Sequence, residues 1–347
     1  MGQVISTLLF QPPENPSPLA QDKYFWLETA SGSKIPAFYI QQSHARFTIL
    51  YSHGNAEDLG MIYNYLSEIS RLLYVNVLAY DYSGYGYGAR HVDNISNKVE
   101  ASEENCYSDI EAAFEYLTTV AKINPRHIIL YGRSVGSGPS CYLAHKLSTK
   151  GDVSLGGMVL HSPFLSVCRV VVDVGLENEY DVFPNVSRIK NVTCPIFIIH
   201  GTKDRVVPFY HGRTLYESIP EDIRYSPFWA ENMGHNNIES DMCSLFIKRL
   251  QRFFLHLIKS QMQADRRTVK RSLSPVAVFF NDTPEEEMNV EPKVKLPRLR
   301  SSPMSAVDAF EERWIKSQMS STGVCRVHSA IEFGEIECSI QPQASTE

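Results

Sequence analysis

A serine between two glycines, at the end of an apolar run, is the first place where this chain can do chemistry. Ile128-Ile129-Leu130-Tyr131 leads into Gly132-Arg133-Ser134-Val135-Gly136, and the small residues Ser137-Gly138-Pro139-Ser140 follow. The run reads as a buried strand. The Gly-x-Ser-x-Gly pentad reads as a sharp strand-to-helix turn that holds the Ser134 hydroxyl up at its tip. A Cβ at either glycine would collide with a neighbouring strand or helix in so tight a turn.

A serine attacks an acyl carbon usefully at neutral pH only with a base to take its proton and donors to hold the oxyanion. In an architecture of this kind the partners follow in the order Ser, then Asp or Glu, then His. Asp204 ends the loop His200-Gly201-Thr202-Lys203-Asp204 behind the apolar Ile196–Ile199, which puts it at a strand's carboxyl end, on the sheet edge expected to carry Ser134. His235, in Asn232-Met233-Gly234-His235-Asn236, follows the last expected strand onto the same edge. Asp204 lies 70 residues beyond Ser134 and His235 another 31 beyond that, room for two βα units and then one. Asp81 also ends a strand on this edge and is the rival acid, but it precedes the serine and its turn-rich surroundings suit a structural acceptor. His127 falls on the opposite edge, and His200 is placed for a local hydrogen bond. His145 and His161 read as surface or core residues. For the oxyanion, one N–H is expected from Val135, at a helix start where the dipole favours anions. The other is expected from Asn55, in the loop Ser52-His53-Gly54-Asn55-Ala56, with His53 bracing that turn; an ordinary strand-ending turn is the competing reading. No metal ligand set and no cofactor is expected.

These residues need a scaffold that delivers several strand ends to one edge, and the rest of the chain reads that way. Tyr24–Leu27 and Ala37–Ile40 flank the turn-rich Ser31-Gly32-Ser33 as an antiparallel hairpin. Phe47–Tyr51, Val75–Tyr80, Met158–Leu160, Ile196–Ile199 and Ser226–Ala230 join the elbow run as strands. Leu59, Ile62, Leu66, Ile69 and Leu73 recur at helical spacing, predicting a helix over Asp58–Leu73. Glu103–Ala121 and Leu245–Ile258 also read as helices, and 163–194 as irregular with limited helical promise. Strands alternating with helices predict an α/β fold, a mostly parallel sheet with helices on both faces. Residues 22–262 are assigned to this domain.

The chain has 347 residues, 43% of them hydrophobic, and a net charge of −6, so nothing global points to nucleic acid. Its seven cysteines are scattered from Cys106 to Cys338 without a CxxC pair, which favours reduced thiols in a cytosolic setting. No apolar run is long enough for a transmembrane helix. Residues 1–21 read instead as a membrane-targeting segment. Met1-Gly2-Gln3-Val4-Ile5-Ser6 fits N-myristoylation at Gly2, and a secretory signal is not expected. Residues 263–347 read as a low-complexity regulatory tail. It opens on the basic cluster Arg266, Arg267, Lys270 and Arg271, followed by Ser272 and Ser274 as possible phosphate acceptors. Further on, Val307, Phe310 and Trp314 share one helical face, for docking or for packing back on the domain.

Taken together, residues from about Asp22 to Ile258 resemble the α/β-hydrolase superfamily, and more narrowly its membrane-anchored protein depalmitoylase (palmitoyl-protein thioesterase) subfamily. The similar stretches are Ser52-His53-Gly54-Asn55-Ala56-Glu57-Asp58-Leu59-Gly60, Tyr80-Asp81-Tyr82-Ser83-Gly84-Tyr85-Gly86, Phe183-Pro184-Asn185, His200–Asp204 and Gly234-His235-Asn236. The resemblance implies an α/β-hydrolase fold with a minimal cap and a Ser134–Asp204–His235 triad. It also implies a serine hydrolase removing S-palmitoyl groups from S-acylated proteins at the cytosolic face of a membrane. Two departures stand out. Depalmitoylases typically begin with a palmitoylated cysteine-rich segment, whereas this chain has no cysteine before Cys106; the anchor must differ, and a myristoyl group on Gly2 is the expected replacement. The tail has no counterpart in the family. Triad chemistry also serves other acyl substrates, so a small-lipid esterase or lysophospholipase, a peptidase, and a myristoylated scaffold with a vestigial triad stay open. Phe164, Leu165, Val170, Val171 and Val174 are candidates for an acyl groove or for plain core packing. The oligomeric state is not legible.

Overall fold

A computed structural model describes residues 10–88, 99–151, 153–171 and 181–272. Eight strands form one sheet: β1 (Phe25–Glu28), β2 (Lys34–Ile40), β3 (Thr48–Ser52), β4 (Asn76–Tyr80), β5 (Ile128–Arg133), β6 (Gly157–His161), β7 (Ile196–Gly201) and β8 (Phe228–Ala230). Their order is β1-β2-β4-β3-β5-β6-β7-β8. The β1–β2 and β2–β4 pairs are antiparallel and all the others are parallel. The expected hairpin and every expected strand are present, shifted by a few residues at their ends.

The helices are α1 (Leu59–Leu73), α2 (Glu103–Glu115), α3 (Ser137–Lys150), α4 (Val167–Val171), α5 (Asn185–Arg188), α6 (Phe209–Glu217), α7 (Ile238–Asp241) and α8 (Cys243–Ser272). Central strands are buried end to end, and their side chains divide between two faces with the strand period. Leu50, Leu130, Leu160 and Ile198 share a hydrophobic cluster with Ile110 of α2, Cys141 of α3 and Leu215 of α6. On the alternate positions, Phe38 meets Tyr63 of α1 and Phe197 meets Phe253 of α8. Helices therefore cover both faces. The predicted stripe Leu59, Ile62, Leu66, Ile69 and Leu73 is buried in α1, whose N-cap Asp58 accepts from the Met61 N–H at 3.0 Å.

Several expectations need correction. α8 does not stop at Ile258 but runs on to Ser272, through the basic cluster. Gln261-Met262-Gln263-Ala264 are good helix formers, and no glycine or proline intervenes before Pro275. Phe164 and Leu165 are core residues, and Val170 packs half-buried against the same core, so these three favour core packing over a groove. Val174, Gly2 and nearly all of the tail, including Ser274 and the Val307–Trp314 face, lie outside the described residues. Cys106, Cys141, Cys168 and Cys194 are free thiols, whereas Cys243 is disulfide-bonded. Among the described residues no helix is long and apolar enough to cross a membrane.

Candidate active site

Four strand ends build the site. β3 and β5 are adjacent, with Ser52 in register with Gly132, so the loop after β3 lies beside the turn after β5. Ser134 sits in that turn at φ +50°, a left-handed conformation unusual for serine, and only 8% of it is exposed. Both pentad glycines are required by close approach. A Cβ on Gly132 would come within 2.4 Å of Gly136 O, and one on Gly136 within 2.1 Å of Ser52 O.

The loops after β7 and β8 bring the partners. His235 Nε2 lies 3.0 Å from Ser134 Oγ, and His235 Nδ1 lies 2.7 Å from Asp204 Oδ2. With Nδ1–H donating to the carboxylate, Nε2 carries a lone pair facing the serine hydroxyl. Asp204 is itself held: its Oδ1 accepts from the N–H groups of Val206 at 2.9 Å and Val207 at 2.8 Å. Burial works against its charge. Hydrogen bonds from His200 and His235 outweigh it and hold the carboxyl well below the usual range. His200 is buried, with Nε2 at 2.9 Å from Val207 O and 3.4 Å from Asp204 Oδ2. Two acceptors around one nitrogen make it the protonated one, so His200 steadies the acid through its own turn.

Asp81 is a structural acceptor. Its Oδ1 takes the Leu59 N–H at 2.9 Å at the start of α1, and a Cβ on Gly86 would fall 1.9 Å from its Oδ2. The neighbouring His53, 3.5 Å from Asp81, turns its Nδ1 to Gly54 O at 2.8 Å. Burial drives both groups toward their uncharged forms. His53 braces the β3 loop, which carries Asn55. Val135 belongs to the single turn Ser134–Gly136 that opens α3.

One residue was overlooked in the sequence. Arg133, immediately before the serine, is 4% exposed and ties the segments after β3 and β8 to the end of β5. Its Nη1 donates to Glu57 Oε1 at 2.7 Å, its Nη2 to Asn236 Oδ1 at 2.8 Å, and its Nε lies 3.4 Å from Glu239 Oε1. Glu57 Oε2 in turn accepts the Gly54 N–H at 2.6 Å. Burial disfavours the guanidinium, but the two carboxylates outweigh it and raise the Arg133 pKa further. Burial lowers His161 to about 4, so its 3.5 Å approach to Glu239 is that of a neutral ring. The signal was available: a charged residue inside a buried apolar run requires buried partners. Among the described residues no group of His, Cys, Asp and Glu is arranged to hold a metal.

The same region of the chain has relatives. A model of the prolyl oligopeptidase family matches residues 65–261. Alpha/beta hydrolase domain-containing protein 17B of Xenopus tropicalis is 36% identical over 231 residues, covering 66% of this chain and 74% of that protein. The chain belongs to the α/β-hydrolase family. Alpha/beta hydrolase domain-containing protein 17C of the same species is similar to this hydrolase to the same degree, 36% over 239 residues, or 68% of this chain and 71% of its own. Among solved structures, Est1E from Butyrivibrio proteoclasticus superposes on the hydrolase with a TM-score of 0.51 at 14% identity, over 68% of this chain and 99% of its own. That likeness concerns the fold.

Proposed function

We propose that this hydrolase is a serine thioesterase that removes S-palmitoyl groups from proteins at the cytosolic face of a membrane. The observation that carries the reading is the continuous contact from Asp204 through His235 to Ser134. Ser134 Oγ attacks the thioester carbonyl while His235 Nε2 takes its proton and Asp204 balances the imidazolium. The backbone N–H groups of Val135 and Asn55 receive the oxyanion. His235 then protonates the departing thiol, and a water deprotonated by His235 releases the fatty acid from Ser134. The choice of thioester rests on the motifs shared with depalmitoylases, because the triad itself serves esters and amides alike.

The test is turnover by the full chain of acyl thioesters from four to sixteen carbons, together with an S-palmitoylated peptide. Each sheltered methylene contributes about 0.8 kcal/mol, so kcat/KM is expected to climb with chain length until the binding surface is filled. Turnover confined to short-chain esters would sink the depalmitoylase reading. Cleavage of peptide bonds instead would favour the peptidase reading, which the prolyl oligopeptidase match keeps in view.

The membrane part of the reading rests on Gly2. One myristoyl chain binds a bilayer only marginally, with a constant of about 10⁴ M⁻¹, so a second attachment is required. The cluster Arg266–Arg271, on the last turns of α8, is the proposed source, at about 1 kcal/mol per cation near an anionic surface. Phosphate on Ser272 or Ser274 would offset it. In cell fractionation, Gly2→Ala is expected to turn soluble, and glutamine at Arg266, Arg267, Lys270 and Arg271 to shift the protein partway. A Gly2→Ala protein that stays on membranes refutes the myristoyl anchor.

A further inference from the structure

Residues 10–20 form an arm without helix or strand that lies along the loop after β3. Phe10 is 7% exposed, its ring edge-on to Tyr85 at 6.5 Å and to Phe183 at 6.1 Å. The Gln11 N–H donates to Asn55 Oδ1 at 3.0 Å, and the Tyr85 hydroxyl donates to the same oxygen at 2.6 Å. Beyond it, the Ser17 N–H donates to Asp58 Oδ2 at 2.7 Å. The Leu19 N–H donates to Tyr87 Oη at 3.1 Å, and that hydroxyl donates to Ser17 O at 3.2 Å. The fit is close: a Cβ on Gly60 would come within 2.4 Å of Ser17 O. Pro12, Pro13, Pro16 and Pro18 restrict the arm to extended paths, so little order is lost on docking.

Between the two anchored residues, Asn55 and Asp58, sits Ala56 at φ +58°. Alanine holds a left-handed conformation only where its surroundings enforce it. The arm bonds the loop on both sides of that strained residue. We propose that residues 10–20 are a positioning element of the acyl-transfer site: through Asn55 Oδ1 and Asp58 they set the orientation of the Asn55 peptide, whose N–H meets the oxyanion. This rests on the acyl-transfer reading above. It makes the stretch directly following the lipidated terminus part of the catalytic apparatus as well as a tether.

The experiment uses the full chain in detergent-free buffer without membranes, with a water-soluble butyryl thioester, so that anchoring plays no part. Gln11→Pro removes the N–H that reaches Asn55, and Phe10→Ala releases the arm's aromatic anchor. A misplaced oxyanion donor slows the chemical step without weakening ground-state binding. Both variants are therefore expected to lose about tenfold in kcat at unchanged KM, and Gln11→Pro to do so with little change in melting temperature. Combined with Asn55→Ala, which keeps the backbone N–H but deletes the acceptor, Gln11→Pro should add nothing further. Wild-type kcat in both variants, or losses that merely track melting temperature, overturns the positioning role. A wild-type chain with no acyl turnover overturns the acyl-transfer reading, and the arm's role with it.

Discussion

Ser134→Ala is expected to abolish both labelling by a fluorophosphonate probe and turnover of a model thioester, with the melting temperature unchanged. Asp204→Asn is expected to lower kcat about 10⁴-fold, the loss seen when a triad acid is neutralised. The geometry says why the second effect should be so large. Asp204 Oδ2 is 2.7 Å from His235 Nδ1 and fixes the tautomer that leaves Nε2 basic. An amide there can turn its NH₂ toward Nδ1, which places the proton on the wrong nitrogen. Its oxygen can still accept the Val206 and Val207 N–H groups, so the loop keeps its shape. Steady-state rates with a soluble thioester, alongside circular dichroism, separate chemistry from folding. If Asp204→Asn stays near wild type while Asp81→Asn loses activity, the acid is misassigned.

Replacing Arg133 by methionine is expected to destabilise the fold by about 3–5 kcal/mol, because Glu57 and Glu239 would remain buried without their cation. Methionine fills much of the volume, so the loss is electrostatic rather than a cavity effect. Adding Glu57→Gln and Glu239→Gln to Arg133→Met should recover much of it, since neutral partners carry a smaller desolvation penalty. Urea denaturation with linear extrapolation measures both. A single variant within about 1 kcal/mol of wild type would show that the cluster is solvated or protonated and does not act as a clamp.

The apolar runs made the strands legible, because a sheet covered on both faces demands near-continuous hydrophobic segments. Ser134, Asp204 and His235 were legible because chain order and strand ends restrict such a site to few candidates. At Arg133 the need for buried partners is legible but their identity is not, since the carboxylates lie 76 and 106 residues away and only the tertiary fold unites them. Helix α6 went unnoticed for a different reason. It is only nine residues long and contains Gly212, which lowers its helix propensity. Yet Gly212 is needed there, because a Cβ would come within 2.3 Å of His200 Nδ1. The length of α8 is not legible because charged residues replace apolar ones after Met262 while helix propensity stays intact.

The candidate catalytic groups do not sit on equally secure ground. Ser134 and Asn55 follow β5 and β3, strands flanked on both sides by others, whereas His235 follows β8, three residues long and, among the described residues, paired only with β7. Edge segments with few ladder bonds open at lower free energy than the centre of a sheet. A sub-global opening of β8 would withdraw His235 while Ser134 and the β3 loop stay in place. On warming, the hydrolase should thus become catalytically silent while still largely folded, and regain activity on cooling as the edge re-zips.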